Sequence, residues 1–153
     1  MHEIQQWSDE RLEAVHDYIQ WLFPLPEPSP VNPLAPLITA STVEAFAAQP
    51  DLRQKLRVSL GRMLRFYGLQ QDRNIVTPAS NFAARADNWL WPGNHNHLRI
   101  TRILKCCALL GLRDEARAFL NCLEGIYAEE RRKDQPGITP TSLQYWRAAL
   151  REA

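Results

Sequence analysis

The sequence predicts an all-α fold: a single compact helical domain of about seven helices, with a buried central helix and a proline-rich loop after the first helix. Three observations carry this. Apolar residues recur every three or four positions along most of the chain, and almost none of it alternates with the period of two expected for a half-buried strand. Ser, Thr and Asp residues stand ahead of those stretches, where they can cap helices, and prolines open or close them. The length, 153 residues with 45% hydrophobic side chains, is that of one domain. Such a chain buries roughly 68–70% of the surface its unfolded form exposes, enough for one core without disulfides or metal.

The first helix opens at Ser8, whose hydroxyl can cap free N–H groups, and Asp9 and Glu10 suit the positive end of the helix dipole. Leu12, Val15, Ile19, Leu22 and Phe23 keep helical spacing until Pro24 stops the run. Six of the eleven prolines then fall between Pro24 and Pro36, so this segment is extended or turned, with polyproline II geometry over part of it. Ser41-Thr42-Val43-Glu44 reads as a capping box for a short helix that Pro50 ends. Asp51 caps a longer helix with Leu52, Leu56, Leu60, Met63, Leu64 and Tyr67 on its buried stripe and Gly68 at its end. Thr77-Pro78, a cap followed by proline at the first helical position, predicts a helix from Ala79 to about Asp87, broken by Trp89-Leu90-Trp91-Pro92-Gly93. A helix from about Asn96 to Leu110 is stopped by Gly111. Asp114 opens the next, with Phe119, Leu120, Leu123, Ile126 and Tyr127 on its inner face and a basic end at Arg131-Arg132-Lys133. Thr139-Pro140 repeats the cap-plus-proline signal for a last helix carrying Leu143, Trp146 and Leu150. No internal repeat or domain boundary is visible, so residues 1–153 read as one domain.

The Asn96 to Leu110 helix differs from the others. Ile100, Ile103, Leu104 and Cys107 share one face, while Leu98 and Leu109 lie opposite, a pattern expected of a helix buried between neighbours. Arg99, Arg102 and Lys105 interrupt it. A guanidinium in such a place needs carboxylate or carbonyl partners, because an unpaired buried charge costs several kcal/mol. Arg99 and Arg102 are therefore expected to tie the helix to the Trp89 to His97 loop and to carboxylates such as Asp17, Glu44 or Asp87.

Charge and cysteine usage bound the partners and the compartment. Eighteen Lys+Arg against seventeen Asp+Glu leave a formal net charge of +1, which gives no long-range field for gathering nucleic acid or an anionic membrane. The series Arg53, Lys55, Arg57, Arg62 and Arg65 reads as the solvated face of one helix, with phosphate contact as the alternative. Three cysteines, two of them adjacent at Cys106 and Cys107, read as reduced thiols rather than a disulfide framework. Met1-His2-Glu3 lacks the basic start and apolar run of a signal peptide, and no stretch approaches the ~18 apolar residues of a membrane helix. A cytoplasmic, monomeric protein without a membrane partner is the expectation.

Two long ordered motifs carry a family resemblance. The run His95-Asn96-His97-Leu98-Arg99-Ile100-Thr101-Arg102-Ile103-Leu104 resembles a signature of the conserved region of the opioid growth factor receptor family. So does His16-Asp17-Tyr18-Ile19-Gln20-Trp21-Leu22-Phe23-Pro24-Leu25-Pro26-Glu27-Pro28, with Met63-Leu64-Arg65-Phe66-Tyr67-Gly68 between them and Leu143-Gln144-Tyr145-Trp146 as a closing motif. The resemblance runs from about Leu12 to Ala149. It implies an all-helical conserved region and a receptor role, the family's vertebrate namesake being a nuclear-associated receptor for Met-enkephalin. The vertebrate C-terminal repeats are not present in this sequence, and a small bacterial relative is the expected setting.

The leading functional expectation is a non-enzymatic peptide- or protein-binding module. Trp21 projects away from the Leu12/Val15/Ile19 face, and either the proline segment folds over it or it forms an aromatic groove with Trp89 or Trp91. The expected ligand-binding residues are Trp21, Trp91, His95, Asn96, Arg99 and Arg102, an arginine being available for a carboxylate. No catalytic residue, metal ligand or cofactor is assigned. His95 and His97 could begin a zinc site, but a catalytic zinc wants about three protein ligands, and the cysteines show no paired spacing. A metal-dependent hydrolase or transferase using His95/His97 is the alternative, with a nucleic-acid-associated factor as another. A phosphohydrolase reading of His16-Asp17 would need a further histidine upstream, where only His2 stands. There is no Gly-x-Ser-x-Gly elbow or glycine-rich phosphate loop.

Overall fold

Helix caps and apolar stripes set the frame of a mostly helical protein. The computed structural model describes residues 2–153, apart from the side chain of His2. Among the described residues the helices are α1 (His2–Gln5), α2 (Asp9–Ala14), α3 (Ile19–Leu22), α4 (Ala40–Ala48), α5 (Pro50–Phe66), α6 (Phe82–Ala86), α7 (Asn96–Leu109), α8 (Arg113–Glu130) and α9 (Pro140–Arg151). Strands β1 (Leu69–Asp72) and β2 (Ile75–Pro78) lie between α5 and α6 as an antiparallel hairpin. The central helix α7 packs on both α8 and α9, while α5 and α8 back the hairpin.

The buried stripes follow the sequence reading closely. Leu56, Leu60, Met63, Leu64 and Tyr67 face the core from the α5 side, and Phe119, Leu120, Leu123 and Ile126 from α8. Thr139 caps α9 by accepting from Ser142 N, with Pro140 in the first turn, and Leu143, Trp146 and Leu150 are buried. Gly68 (φ 76°) and Gly111 (φ 84°) take the left-handed conformation just past α5 and α7, where a side chain would be strained. Leu98 departs from the expected two-sided burial of the central helix and is 72% exposed.

Aromatic groups cross the core from element to element. Phe119 of α8 stacks on Tyr67, whose ring meets Trp89 edge-on; Trp89 meets His97 of α7, and His97 meets Trp146 of α9. Polar contacts fix their order. Trp89 Nε1 donates to Tyr67 O, and Trp146 Nε1 donates to His97 O. Each buried indole thus satisfies its N–H while contributing a large apolar surface.

Five local expectations need correction. The first predicted helix is two short ones, because the chain turns extended at Val15 (ψ 129°) and resumes helix only at Ile19. Ser8 nevertheless caps α2 as expected, accepting from Arg11 N. The capping box of α4 is Thr39 with Thr42, two residues ahead of Ser41, since Thr39 and Thr42 exchange the two reciprocal bonds. Pro50 opens α5 rather than only ending α4, and Gln49 rather than Asp51 is its N-cap. Thr77 and Pro78 belong to β2 and α6 begins at Phe82, so the fold is not strictly all-α. The hairpin escaped notice because three of the four β1 residues are exposed and polar, and its two-residue turn, Arg73-Asn74, lacks the glycine that marks such turns.

The proline-rich segment is closed on itself. Leu25 and Leu37 form a parallel bridge, and Ile38 N donates to Leu25 O, so the two ends of the loop meet. Asn32 Nδ2 donates to Asp17 O and pins the loop to the α2–α3 break.

Two glycines test the packing in opposite senses. A Cβ on Gly137 would lie 2.3 Å from the backbone O of Leu90, whereas a Cβ on Gly125, inside α8, meets nothing within 4 Å. Gly137→Ala should therefore lower stability by about 2–3 kcal/mol through forced backbone movement. Gly125→Ala should raise it by about 0.5–1 kcal/mol through helix propensity. Thermal melts of the two variants check both signs.

Candidate functional site

The site is organised by Arg99, which is 5% exposed. Its Nη1 donates to Leu12 O and to Asn96 Oδ1, both at 3.1 Å, and its Nη2 donates to Val15 O at 2.9 Å and faces His16 Nδ1 at 3.4 Å. Glu13 Oε2 lies 3.9 Å away. In a continuous helix Leu12 O would accept from the His16 N–H; the break at Val15 frees it for the guanidinium. Because a guanidinium offers only donors, His16 turns a bare Nδ1 towards it. The partners are thus backbone carbonyls and Glu13. Asp17, Glu44 and Asp87, the carboxylates expected from the sequence, do not pair with Arg99 or Arg102.

The histidines and Asn96 divide between fold and surface. His97 is spent on structure: its Nε2 lies 2.9 Å from Trp89 O and its Nδ1 3.1 Å from Ser142 Oγ. A carbonyl can only accept, so the proton sits on Nε2 and Nδ1 accepts from the Ser142 hydroxyl. Burial pushes the His97 pKa down, with the Trp89 bond opposing. Asn96 is buried, donating to Glu13 Oε2 at 3.1 Å while accepting from Arg99. His95 Nε2 is 3.1 Å from Glu13 Oε1, outside hydrogen-bond geometry, and its ring meets that of His16 edge-on. Burial lowers the His95 pKa, and Glu13 opposes that shift.

No group of three or more His, Cys, Asp or Glu side chains is placed to hold a metal ion among the described residues. The upstream His2 of the phosphohydrolase pattern has its side chain outside the described residues. Cys106 and Cys107 are fully buried, and burial raises both thiols well above their ordinary pKa; Cys122 is pushed up to about 11. None has the low pKa of a reactive thiolate.

Beside Arg99 opens a cleft of about 390 Å³ between α7 and the α3–proline segment. Ile19, Leu25, Val31 and Leu98 supply apolar wall, and Arg102 and Lys105 continue the cationic side begun by Arg99. Arg102 Nη1 donates to Phe23 O at 3.2 Å; its Nε and Nη2 have no partner among the described residues. Lys105 pairs with Glu27 at 2.8 Å. Gln20, also in the cleft wall, is only 6% exposed, and its Oε1 has no donor among the described residues. An unmet buried acceptor costs about 1–3 kcal/mol and calls for a partner.

Of the residues expected at a binding site, His95, Arg99 and Arg102 line this cleft. Asn96 stands behind it, supporting Arg99 and Glu13. Trp21 and Trp91 are about half exposed, at 46% and 50%, and neither is among the cleft-lining residues; Trp89 is in the core. Sequence reasoning missed Gln20, Glu13 and the apolar pair Leu25 and Val31. Only the position of Gln20 next to Ile19 on the buried side of the first helix offered a signal.

Comparison with known proteins places these motifs. The opioid growth factor receptor (OGFr) conserved region matches residues 1–153. The chain is 39% identical over 155 residues to the human protein named opioid growth factor receptor, covering 97% of this chain and 22% of that protein. The mouse protein of that name is 41% identical, with 97% and 24% covered, and mouse opioid growth factor receptor-like protein 1 is 32% identical, with 97% and 32% covered. The chain therefore spans between about a fifth and a third of the length of these relatives. They are vertebrate proteins, so the bacterial setting expected from the sequence finds no support in them. No solved structure matches the chain. No helix among the described residues is long and apolar enough to cross a membrane.

Two outcomes follow from this geometry. Arg99→Ala strands Leu12 O, Val15 O and Asn96 Oδ1 and should cost on the order of 3 kcal/mol, lowering the melting temperature by about 6–12 °C. The neutral His97 implies that acid favours the unfolded chain, whose histidine takes up the proton more readily. The stability His97 contributes is complete above its ordinary value of 6.5 and is lost as pH falls through the lowered folded value. An NMR titration should place the His97 midpoint below 6.5; a midpoint above it would contradict the assignment.

Proposed function

Because the chain belongs to the opioid growth factor receptor conserved-region family, we propose that it is a peptide- or protein-binding module whose ligand lies in the cleft beside α7. The names of its relatives, receptors for a growth factor, favour a peptide, and the chemistry of the cleft agrees. The observation that carries the reading is Arg102, a half-buried guanidinium with free N–H groups in the wall of a cleft that also offers apolar surface from Ile19, Leu25, Val31 and Leu98. A peptide's terminal or side-chain carboxylate suits the planar fork of Arg102, and its apolar side chains suit the wall opposite.

In this proposal Arg102 contacts the ligand, and His95 borders it. Arg99 and Asn96 position the wall, and the exposed indoles of Trp21 and Trp91 serve residues that extend beyond the cleft. The unit is one domain over residues 1–153, a monomer without an enzymatic step, working in the cytoplasm. An overall charge near neutrality and the spent nitrogens of His97 weigh against a nucleic-acid partner and a His95/His97 metal site.

A library of random peptides with free C-termini, sorted on the intact chain, tests the proposal. The best binders should lose about tenfold in affinity on C-terminal amidation, or on Arg102→Gln, since each removes one charge-assisted contact. A sort that yields no binders, or binders indifferent to both changes, would remove the support for this reading.

A further inference from the structure

A second hollow, of about 690 Å³, lies where α5, the hairpin and the start of α8 meet, away from the α7 cleft. Its origin is the basic series on α5, which the fold takes apart. Arg53 donates to Phe46 O and Ala47 O, and Arg62 donates to Trp7 O and Asp9 Oδ1, so both are spent on holding backbone and helix ends. Arg57 and Arg65 are not spent in this way. They line the hollow and are joined there by Arg73, which the sequence placed in no basic cluster.

Each of the three guanidinium groups keeps donors to spare. Arg57 gives only its Nε to Glu115 Oε1, at 2.7 Å, and its side chain is 42% exposed. The side chains of Arg65 and Arg73 form no hydrogen bond or ion pair with other described residues, and both are exposed. Arg73 also holds a left-handed backbone (φ 53°), a conformation a side chain disfavours, with Gln71 Nε2 bonded to its carbonyl at 2.8 Å. Three arginines therefore face one acid, Glu115, in a chain whose formal net charge is only +1. Asp72, next along the hairpin, lines an adjoining hollow with Ile75 and Thr77 that shares Gln70 and Gln71 with this one.

We propose that this hollow binds a small soluble phosphomonoester. A phosphate dianion matches the excess positive charge, and its oxygens suit the forked donors of arginine better than a carboxylate's two do when more than one arginine converges. The amides of Gln70, Gln71 and Asn74 and the apolar floor at Leu64 and Leu69 provide for the organic body. The hollow lies in the volume range of small-molecule sites. The assignment is independent of the peptide cleft, which has different residues and lies on different elements.

Calorimetric titration of the intact chain at fixed ionic strength, with inorganic phosphate, adenosine 5′-monophosphate and adenosine, is the test. Phosphate and the monophosphate should bind, the monophosphate tighter, and adenosine should not. Arg65→Gln and Arg73→Gln, both at exposed positions, should keep the wild-type melting temperature and each weaken the monophosphate about tenfold. Glu115→Gln keeps an acceptor for Arg57, removes the one negative charge and should tighten binding. The proposal is overturned by adenosine binding as well as its monophosphate or by no binding of either phosphate species. It is equally overturned by arginine variants that bind like wild type, or by weaker binding after Glu115→Gln. A phosphoserine peptide binding more tightly than the monophosphate would overturn the small-molecule assignment.

Discussion

The fold near the candidate site depends on one arginine standing in for a missing turn of helix. Between Ala14 and Ile19 the chain leaves helical geometry, which frees carbonyls that a continuous helix would have satisfied internally. Arg99 answers from the first turn of α7, reaching Leu12 O and Val15 O with its two terminal nitrogens. The break in turn redirects the chain so that Tyr18, Ile19, Leu22 and Phe23 all reach the core. A buried cation is costly alone, but here the two terminal nitrogens of Arg99 meet Leu12 O, Asn96 Oδ1, Val15 O and His16 Nδ1, the nearby Glu13 carboxylate balances the charge, and the Tyr18 ring lies within 5.2 Å. Burial accordingly holds the Tyr18 hydroxyl up to about 12, so this neighbour stays neutral beside the pair.

Much of the architecture is legible in the sequence because apolar spacing reports burial directly. Leu12, Ile19, Leu22 and Phe23 are all core residues, as their spacing implies, although the helix expected to carry them is broken. Spacing records which side chains are inside; it does not record a local exchange of backbone for side-chain hydrogen bonds, because the arginine that makes the exchange lies more than eighty residues away. The same logic explains the missed hairpin. Leu69 and Val76 alone are buried in it, too few for a period of two to show, and the flanking α5 and α8 hold it from outside. Thr77-Pro78 satisfies the local rule for a helix start, yet pairing with Leu69 and Gln70 takes those residues into the strand. At the candidate site, the importance of Arg99 and Arg102 could be read from charges interrupting an apolar helix. The need of Gln20 could not, because an unmet acceptor appears only once all its neighbours are placed.

His97 shows how a motif that looks like chemistry becomes structure. Its imidazole sits between Trp89 and Trp146, bonded to the carbonyl of the first while its own carbonyl receives the indole N–H of the second. Three elements converge there: the loop before α7, α7 itself and α9. A metal ligand needs a free ring nitrogen aimed at a shared centre, whereas His97 has used both nitrogens on Trp89 O and Ser142. His95 is two residues away but on a different side of the helix start, against Glu13 and His16. The pair is thus close in sequence and separated in role.

Along α7 the cations Arg99, Arg102 and Lys105 recur at intervals of three, which places them on neighbouring turns of one stripe. Their surroundings change in order along that stripe. Arg99 is enclosed, and both its terminal nitrogens are committed to the α2–α3 break. Arg102 is half-buried, commits one terminal nitrogen to Phe23 O and has its pKa lowered chiefly by burial, so its charge stands in a partly desolvated place. Lys105, whose side chain is 23% exposed, meets Glu27, whose side chain is 61% exposed. An anion arriving at Lys105 must compete with an existing partner in high dielectric, where an ion pair is worth little. One arriving at Arg102 meets unpaired donors in a less polar environment, where each hydrogen bond to a charged group counts for more. An anion at the candidate site would therefore gain most at the middle of the stripe, without removing a contact on which the fold depends.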